Sequence, residues 1–263
     1  PGTYHFYFGD ETGSPGSIMT FFPWPGARRG RHGNGQVTTT SFSVPRDSLG
    51  YWKERADDFL VSHFEASDRF GDQVLALRDP DGLQIELIAT EDREGHAISR
   101  FHSATLQEEG YERTAKLLTE VMGFRLAGEH GTRYRFIAGD GGPGSIVDVV
   151  CSPDAQRGLG GAGTVHHIAW RTPDDDQQKE WRKKLVELDY NVSPIMDRNY
   201  FHSIYYREPG GILFEIATDP PGFLIDEPVE MLGTTLKLPP FYEPMRSEIE
   251  AALPPVRLQA VSA

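Results

Sequence analysis

The apolar run GTVHHIAW (163–170) reads as a buried strand that carries two histidines, and FHSATL (101–106) reads as another. After FHSATL the spacing changes. Tyr111, Ala115, Leu118 and Met122 fall at helical intervals and stop before Gly123, a residue suited to the turn that closes a helix. Further β-rich runs follow, joined by Gly, Pro and Asp turns. One strand, one helix and three strands make a βαβββ unit.

The pattern recurs along the chain. GQVTTTSFSVP (35–45) lies under GTVHHIAWRTP (163–173), and RDPDGLQIELIAT (78–90) lies under REPGGILFEIATD (207–219). PGSIMTF (15–21) likewise lies under PGSIVDV (143–149). Unit two spans 35–92, unit three 97–153 and unit four 163–219, with linkers at 91–96 and 154–162. Unit one opens in mid-unit: the counterpart of 97–130 is missing, so a truncated start is expected. The fold class is α+β, with tandem βαβββ modules forming two similar domains of curved mixed sheets. The expected division is 1–92, 97–219 and a tail over 220–263.

Composition narrows the function. A chain of 263 residues, 38% hydrophobic, can bury a real core. A net charge of −13 argues against a nucleic-acid partner, and the one basic cluster, ARRGRHG (27–33), reads as a solvated loop. The single cysteine, Cys151, excludes an internal disulfide, suits a reducing cytosol and is expected as a small core residue. No apolar run reaches the ~20 residues of a membrane span and no signal peptide is seen, so a cytoplasmic protein is expected.

The repeat lets equivalent positions be compared. His167 stands where units two and three have Thr39 and Ser103; His166 stands where they have Thr38 and His102. Glu215 matches Glu86, Asp148 and Thr20. An acid inside an apolar strand is costly to bury unless it is paired or bound to metal. Only unit four has both a His at the first-strand position and a Glu at the last-strand position. Imidazole plus carboxylate suits a divalent first-row metal, although the facial set of two His and one carboxylate is one His short. The bland alternative is an ordinary core or surface histidine. On a strand the two histidines point to opposite faces, so only one of them can serve the ion.

Other polar residues crowd DRNYFHSIYYREP (197–209). Arg198 recurs as Arg69 and Arg207 as Arg78, so structural roles compete with functional ones there. Tyr205 stands opposite Ala76 and is the more specific candidate, while His202, opposite Gln73, is left open between surface and pocket. GDGGPG (139–144) matches a turn in unit one and reads as a hairpin connection rather than a phosphate loop. In the tail, Phe223, Leu224, Leu236, Leu238 and Phe241 are expected to pack over the sheets, with one short helix in MRSEIEAAL (245–253).

Tandem βαβββ units with HHIAW and GGILFEIATDPPGF resemble the vicinal oxygen chelate superfamily of glyoxalases, bleomycin-resistance proteins and extradiol dioxygenases. DRNYFHSIYYREPGGILFEIATDPPGF, FFPWP (21–25) and LKLPP (236–240) resemble more narrowly its hydroquinone and chlorohydroquinone ring-cleaving members. The resemblance implies Fe(II), with Mn(II) as the alternative ion, held by His167, Glu215 and a His of the missing first strand. It implies His166, Arg198 and Tyr205 around a small aromatic diol, whose ring opens with both atoms of O₂ inserted. A homo-oligomer with no nucleic-acid or membrane partner is also expected. Two other readings share the fold: a glyoxalase-like Zn or Ni isomerase or lyase, and a non-enzymatic ligand-sequestering protein.

Overall fold

A computed structural model describes residues 2–91 and 94–256; residues 92 and 93 of the expected first linker and 257–263 of the tail lie outside the described residues. Unit one contributes one hairpin, β1 (Phe6–Phe8) and β2 (Met19–Phe21). Unit two is β3 (Gln36–Pro45), α1 (Leu49–Asp58), β4 (Ser62–Arg69), β5 (Asp72–Arg78) and β6 (Gln84–Glu91). Unit three is β7 (Arg100–Glu108), α2 (Glu112–Lys116, extended by a π turn over Leu117–Val121), β8 (Phe124–His130), β9 (Arg133–Ala138) and β10 (Ile146–Cys151). Unit four is β11 (Ile168–Thr172), α3 (Asp175–Glu187), β12 (Met196–Asp197), β13 (Phe201–Arg207) and β14 (Leu213–Pro221). The tail carries α4 (Arg246–Ala252). The three complete βαβββ units and the partial first unit follow the expected pattern. Among the described residues no helix is long and apolar enough to cross a membrane.

Local signals explain the elements. Asp174 caps α3 by accepting the Gln177 amide at 2.8 Å, and Asp175 and Asp176 follow in the first turn, where the helix dipole favours negative charge. Gly123, at φ 80°, ends the helical segment of unit three in the left-handed region that glycine adopts freely. Within each complete unit the first strand pairs parallel with the last. That ladder sets Ser41 beside Glu86, Thr105 beside Asp148 and Ala169 beside Glu215.

One sheet joins strands of units two and three. β3 of unit two pairs antiparallel with β7 of unit three, giving an eight-stranded sheet in the order β4-β5-β6-β3-β7-β10-β9-β8. Unit four forms its own four-stranded sheet, β11-β14-β13-β12. Packing joins units three and four instead. Leu106, Leu118, Phe136 and Val149 share one core with Leu185, Ile204, Phe214 and Ile216, each fully or nearly fully buried and stabilising by roughly 2 kcal/mol. A smaller core under α1 holds Val44, Leu75 and Leu87.

ARRGRHG is exposed at Ala27, Arg28, Arg29 and Arg31, as a solvated loop should be, and it is also tied down: Arg29 and Arg31 bridge to Ala162 and Leu159 of the second linker, and His32 Nε2 meets the Gly163 carbonyl at 2.8 Å. A Cβ on Gly161 would lie 2.4 Å from the Arg28 carbonyl, so the glycines of that linker permit the two strands of chain to close on each other. In the tail, Phe223 packs, but Leu224 is 50% and Phe241 71% exposed. Finally, the two histidines precede β11 rather than lying inside it. Cys151 is not in the core as expected: it ends β10, half-buried, with a free thiol.

Candidate active site

Glu215, on β14, is 3% exposed. Its Oε2 lies 2.7 Å from His167 Nε2, and its Oε1 accepts the Tyr205 hydroxyl at 2.9 Å and the Ser203 hydroxyl. The cross-strand register explains this convergence: Tyr205 sits directly opposite Glu215 across β13–β14, and Ser203 points to the same face two residues away. Burial pushes the Glu215 pKa up. The hydrogen bond and charge of His167, with the two hydroxyls, outweigh it and hold the carboxyl below its ordinary value. Burial and the Glu215 charge raise Tyr205, so its hydroxyl stays protonated as a donor.

The histidines are in contact, contrary to the opposite-face expectation. His166 Nδ1 and His167 Nδ1 are 2.8 Å apart, because the irregular backbone before β11 does not alternate as a strand would. The two Nδ1 atoms share one hydrogen bond, so His166 orients the His167 ring while His167 Nε2 faces Glu215. Arg198 places its guanidinium 5.4 Å from the centre of the Tyr205 ring, in cation–π range. Arg207 donates to the Gly211 carbonyl at 2.7 Å and so secures the β13–β14 turn. His202 meets Asp175 at 2.6 Å beside α3, on the other face of β13 from Ser203 and Tyr205.

The same acid position in the other complete units is filled differently. Glu86 is bridged by Arg69 and accepts the Ser41 hydroxyl at 2.9 Å. Asp148 takes Arg135 through Nε at 2.8 Å and through Nη2 at 3.0 Å, and Arg133 at 3.0 Å. Both acids are therefore neutralised by guanidinium groups. In unit four Arg198, the counterpart of Arg69, lies over Tyr205, and the carboxylate faces imidazole.

Two residues escaped the sequence reading. His5 and Tyr7 lie within electrostatic reach of Arg198 and Glu215, and the Tyr7 hydroxyl is 2.7 Å from His5 Nδ1. A signal for Tyr7 was available: Thr20 aligns with Glu215, and Tyr7 is paired with Thr20 as Tyr205 is with Glu215. Aromatic rings fill the surroundings. His5 stacks on Phe22 at 4.1 Å, and Tyr7 meets Phe223 edge-on at 4.9 Å.

As donors for a divalent metal, His167 and Glu215 fit in type and converge at one point, as two members of a larger set. Among the described residues no group of three His, Cys, Asp or Glu side chains gathers to complete it.

Comparison with known proteins agrees with the geometry. The chain is 46% identical to MhqO of Bacillus subtilis, a protein provisionally named a ring-cleaving dioxygenase, over 98% of this chain and 86% of that protein. It is 33% identical to the chlorohydroquinone/hydroquinone 1,2-dioxygenase of Sphingobium indicum, over 94% of this chain and 82% of that enzyme. A crystal structure of a provisionally named dioxygenase from Bacillus subtilis superposes with a TM-score of 0.93 at 45% identity, covering 98% and 86% of the two chains. Glyoxalase I from Zea mays shares the fold, with a TM-score of 0.62 at 14% identity over 82% of this chain and 78% of that one. Residues 100–216 match the family profile described as Glyoxalase/Bleomycin resistance protein/Dioxygenase superfamily. With its βαβββ units and these relatives, the chain belongs to that superfamily.

Proposed function

We propose that the chain is a non-haem Fe(II)-dependent, extradiol-type dioxygenase that opens the ring of hydroquinone-type or catechol-type diols and inserts both atoms of O₂. One observation carries this reading. Of the three buried acids at the same position, only Glu215 is left without an arginine, and it faces His167 Nε2 at 2.7 Å. A carboxylate so arranged can exchange its histidine hydrogen bond for a shared ion, whereas Glu86 and Asp148 cannot release their guanidinium partners without leaving buried charge.

His167 and Glu215 would hold the ferrous ion, or Mn(II), together with a donor from outside the described cluster. When bound, such an ion lowers the pKa of a phenol and activates O₂. The chain's own residues do the rest. Tyr205 and Ser203 fix the Glu215 carboxylate through its Oε1, leaving Oε2 to face His167. His166 fixes the His167 ring through Nδ1. Arg198 supplies a fixed positive charge beside a developing phenolate, and Tyr205 holds a proton within reach of the opening ring. The overall change adds O₂ across one ring carbon–carbon bond beside a hydroxyl carbon and leaves an unsaturated ring-opened acid.

Metal analysis with O₂ uptake on hydroquinone and on catechol tests this reading. Iron with diol-dependent O₂ consumption is expected. Zinc or nickel without O₂ consumption would point to a glyoxalase-like enzyme, and a protein that takes up no metal would be neither.

A further inference from the structure

The hairpin of unit one brings a second polar pair to the site. His5 and Tyr7 are two residues apart on an extended run, so they share one face, and a single hydrogen bond of 2.7 Å joins Tyr7 Oη to His5 Nδ1. His5 Nε2 has no hydrogen-bond partner among the described residues. The pair lies within electrostatic reach of Arg198 and Glu215. It is bounded by flat apolar surface: Phe22 stacks on His5 at 4.1 Å, Trp24 stacks on Phe22 at 5.1 Å, and Phe223 and Tyr200 lie 4.9 and 6.0 Å from the Tyr7 ring.

Register adds an independent point. Tyr7 faces Thr20 across its hairpin as Tyr205 faces Glu215 across its own. The site therefore has two tyrosines in equivalent positions. One is bonded to the acid and the other to a histidine. Thr20 supplies no anion, so the Tyr7 end cannot hold a metal, yet it keeps a polar pair among aromatic walls. That combination suits a neutral hydroxyl on a flat ring. A 1,2-diol places both oxygens on one edge, whereas a 1,4-diol sends its second hydroxyl to the far edge.

We propose that His5 and Tyr7 are specificity-determining residues that hold the distal hydroxyl of a 1,4-dihydroxybenzene and so favour hydroquinones over catechols. The proposal rests on the ring-cleaving reading above and names its substrate class.

The test compares wild type, Tyr7→Phe and His5→Gln in the full chain with hydroquinone, catechol and 4-methoxyphenol. Steady-state O₂ uptake is paired with anaerobic calorimetric binding of each ring. For Tyr7→Phe we expect the KM and Kd of hydroquinone to rise about 5- to 10-fold, the loss of roughly one hydrogen bond, with kcat within about twofold. Catechol and 4-methoxyphenol should change little, and His5→Gln, which keeps a polar amide, should fall between the two proteins. Equal losses on all three rings, or no loss on hydroquinone, would overturn the pair's role. If wild type consumes no O₂ but its hydroquinone affinity still depends on Tyr7, the dioxygenase reading fails and the recognition pair stands. If diols are turned over and Tyr7→Phe changes nothing, the reverse holds. A wild type that neither binds nor oxidises these rings contradicts both.

Discussion

At the scale of the residue, the chemistry concentrates on Glu215 and on what replaces arginine beside it. Glu215→Gln should remove the anionic donor while preserving shape, so iron should no longer copurify and O₂ uptake should vanish, as metal analysis and an oxygen electrode would report. Tyr205→Phe keeps the metal donors and removes one proton. It should lower kcat by about 10- to 100-fold with unchanged iron content. His167 and Glu215 were legible in the sequence because the repeat offered Thr39, Ser103, Glu86 and Asp148 for comparison. The contact between His166 and His167 was not legible. It depends on the irregular backbone before Ile168, where the parallel ladder with β14 begins, and that path leaves no mark on side-chain type.

At the scale of the element, the junction between units three and four carries a buried acid pair. Glu108, at the end of β7, and Glu208, in the β13–β14 turn, are 1% and 2% exposed, and each approaches the Thr114 hydroxyl at 2.6 Å. One hydroxyl has one proton, so a second must come from a carboxyl. Glu208 already accepts the Gly210 and Ile212 amides at 2.8 Å, whereas among the described residues Glu108 has no such donors. Glu108 is therefore the acid. Burial first and then the Glu208 charge push its pKa up to about 8. Because the folded protein holds this proton more tightly than the unfolded chain, stability should be greatest below the ordinary carboxyl range. It should fall as pH rises towards about 8 and level off beyond. Denaturant unfolding between pH 5 and 9 should show this slope for wild type, and Glu108→Gln should flatten it and be the more stable protein at the alkaline end. No periodicity in the sequence announced this pair. Its members are distant along the chain and meet only because units three and four share a core.

At the scale of the whole molecule, four related units have been put to different uses. Units two and three lock their acids with arginines, and Arg135 extends the network to Asp72 at 2.6 Å. Asp148→Asn should leave Arg133 and Arg135 short of buried negative charge and destabilise the fold by about 3 kcal/mol in denaturant melts. Iron content should stay intact, since that network lies outside unit four. The βαβββ grammar and its boundaries were readable because each unit must bury one face of a sheet under one helix, which imposes a regular apolar pattern. Which units share a sheet was not readable. That choice is made by edge pairing of β3 with β7 and by the bridged linkers, whose backbone hydrogen bonds leave no signature in side-chain type.

The central claim is that unit four directs both atoms of O₂ into an aromatic diol. Mass analysis of the product formed from hydroquinone under isotopically labelled O₂, quenched before exchange with water, tests it most directly. The account predicts a ring-opened acid carrying both labelled atoms in the wild-type protein and no such product with Glu215→Gln. An unlabelled quinone, with O₂ merely reduced, would contradict it.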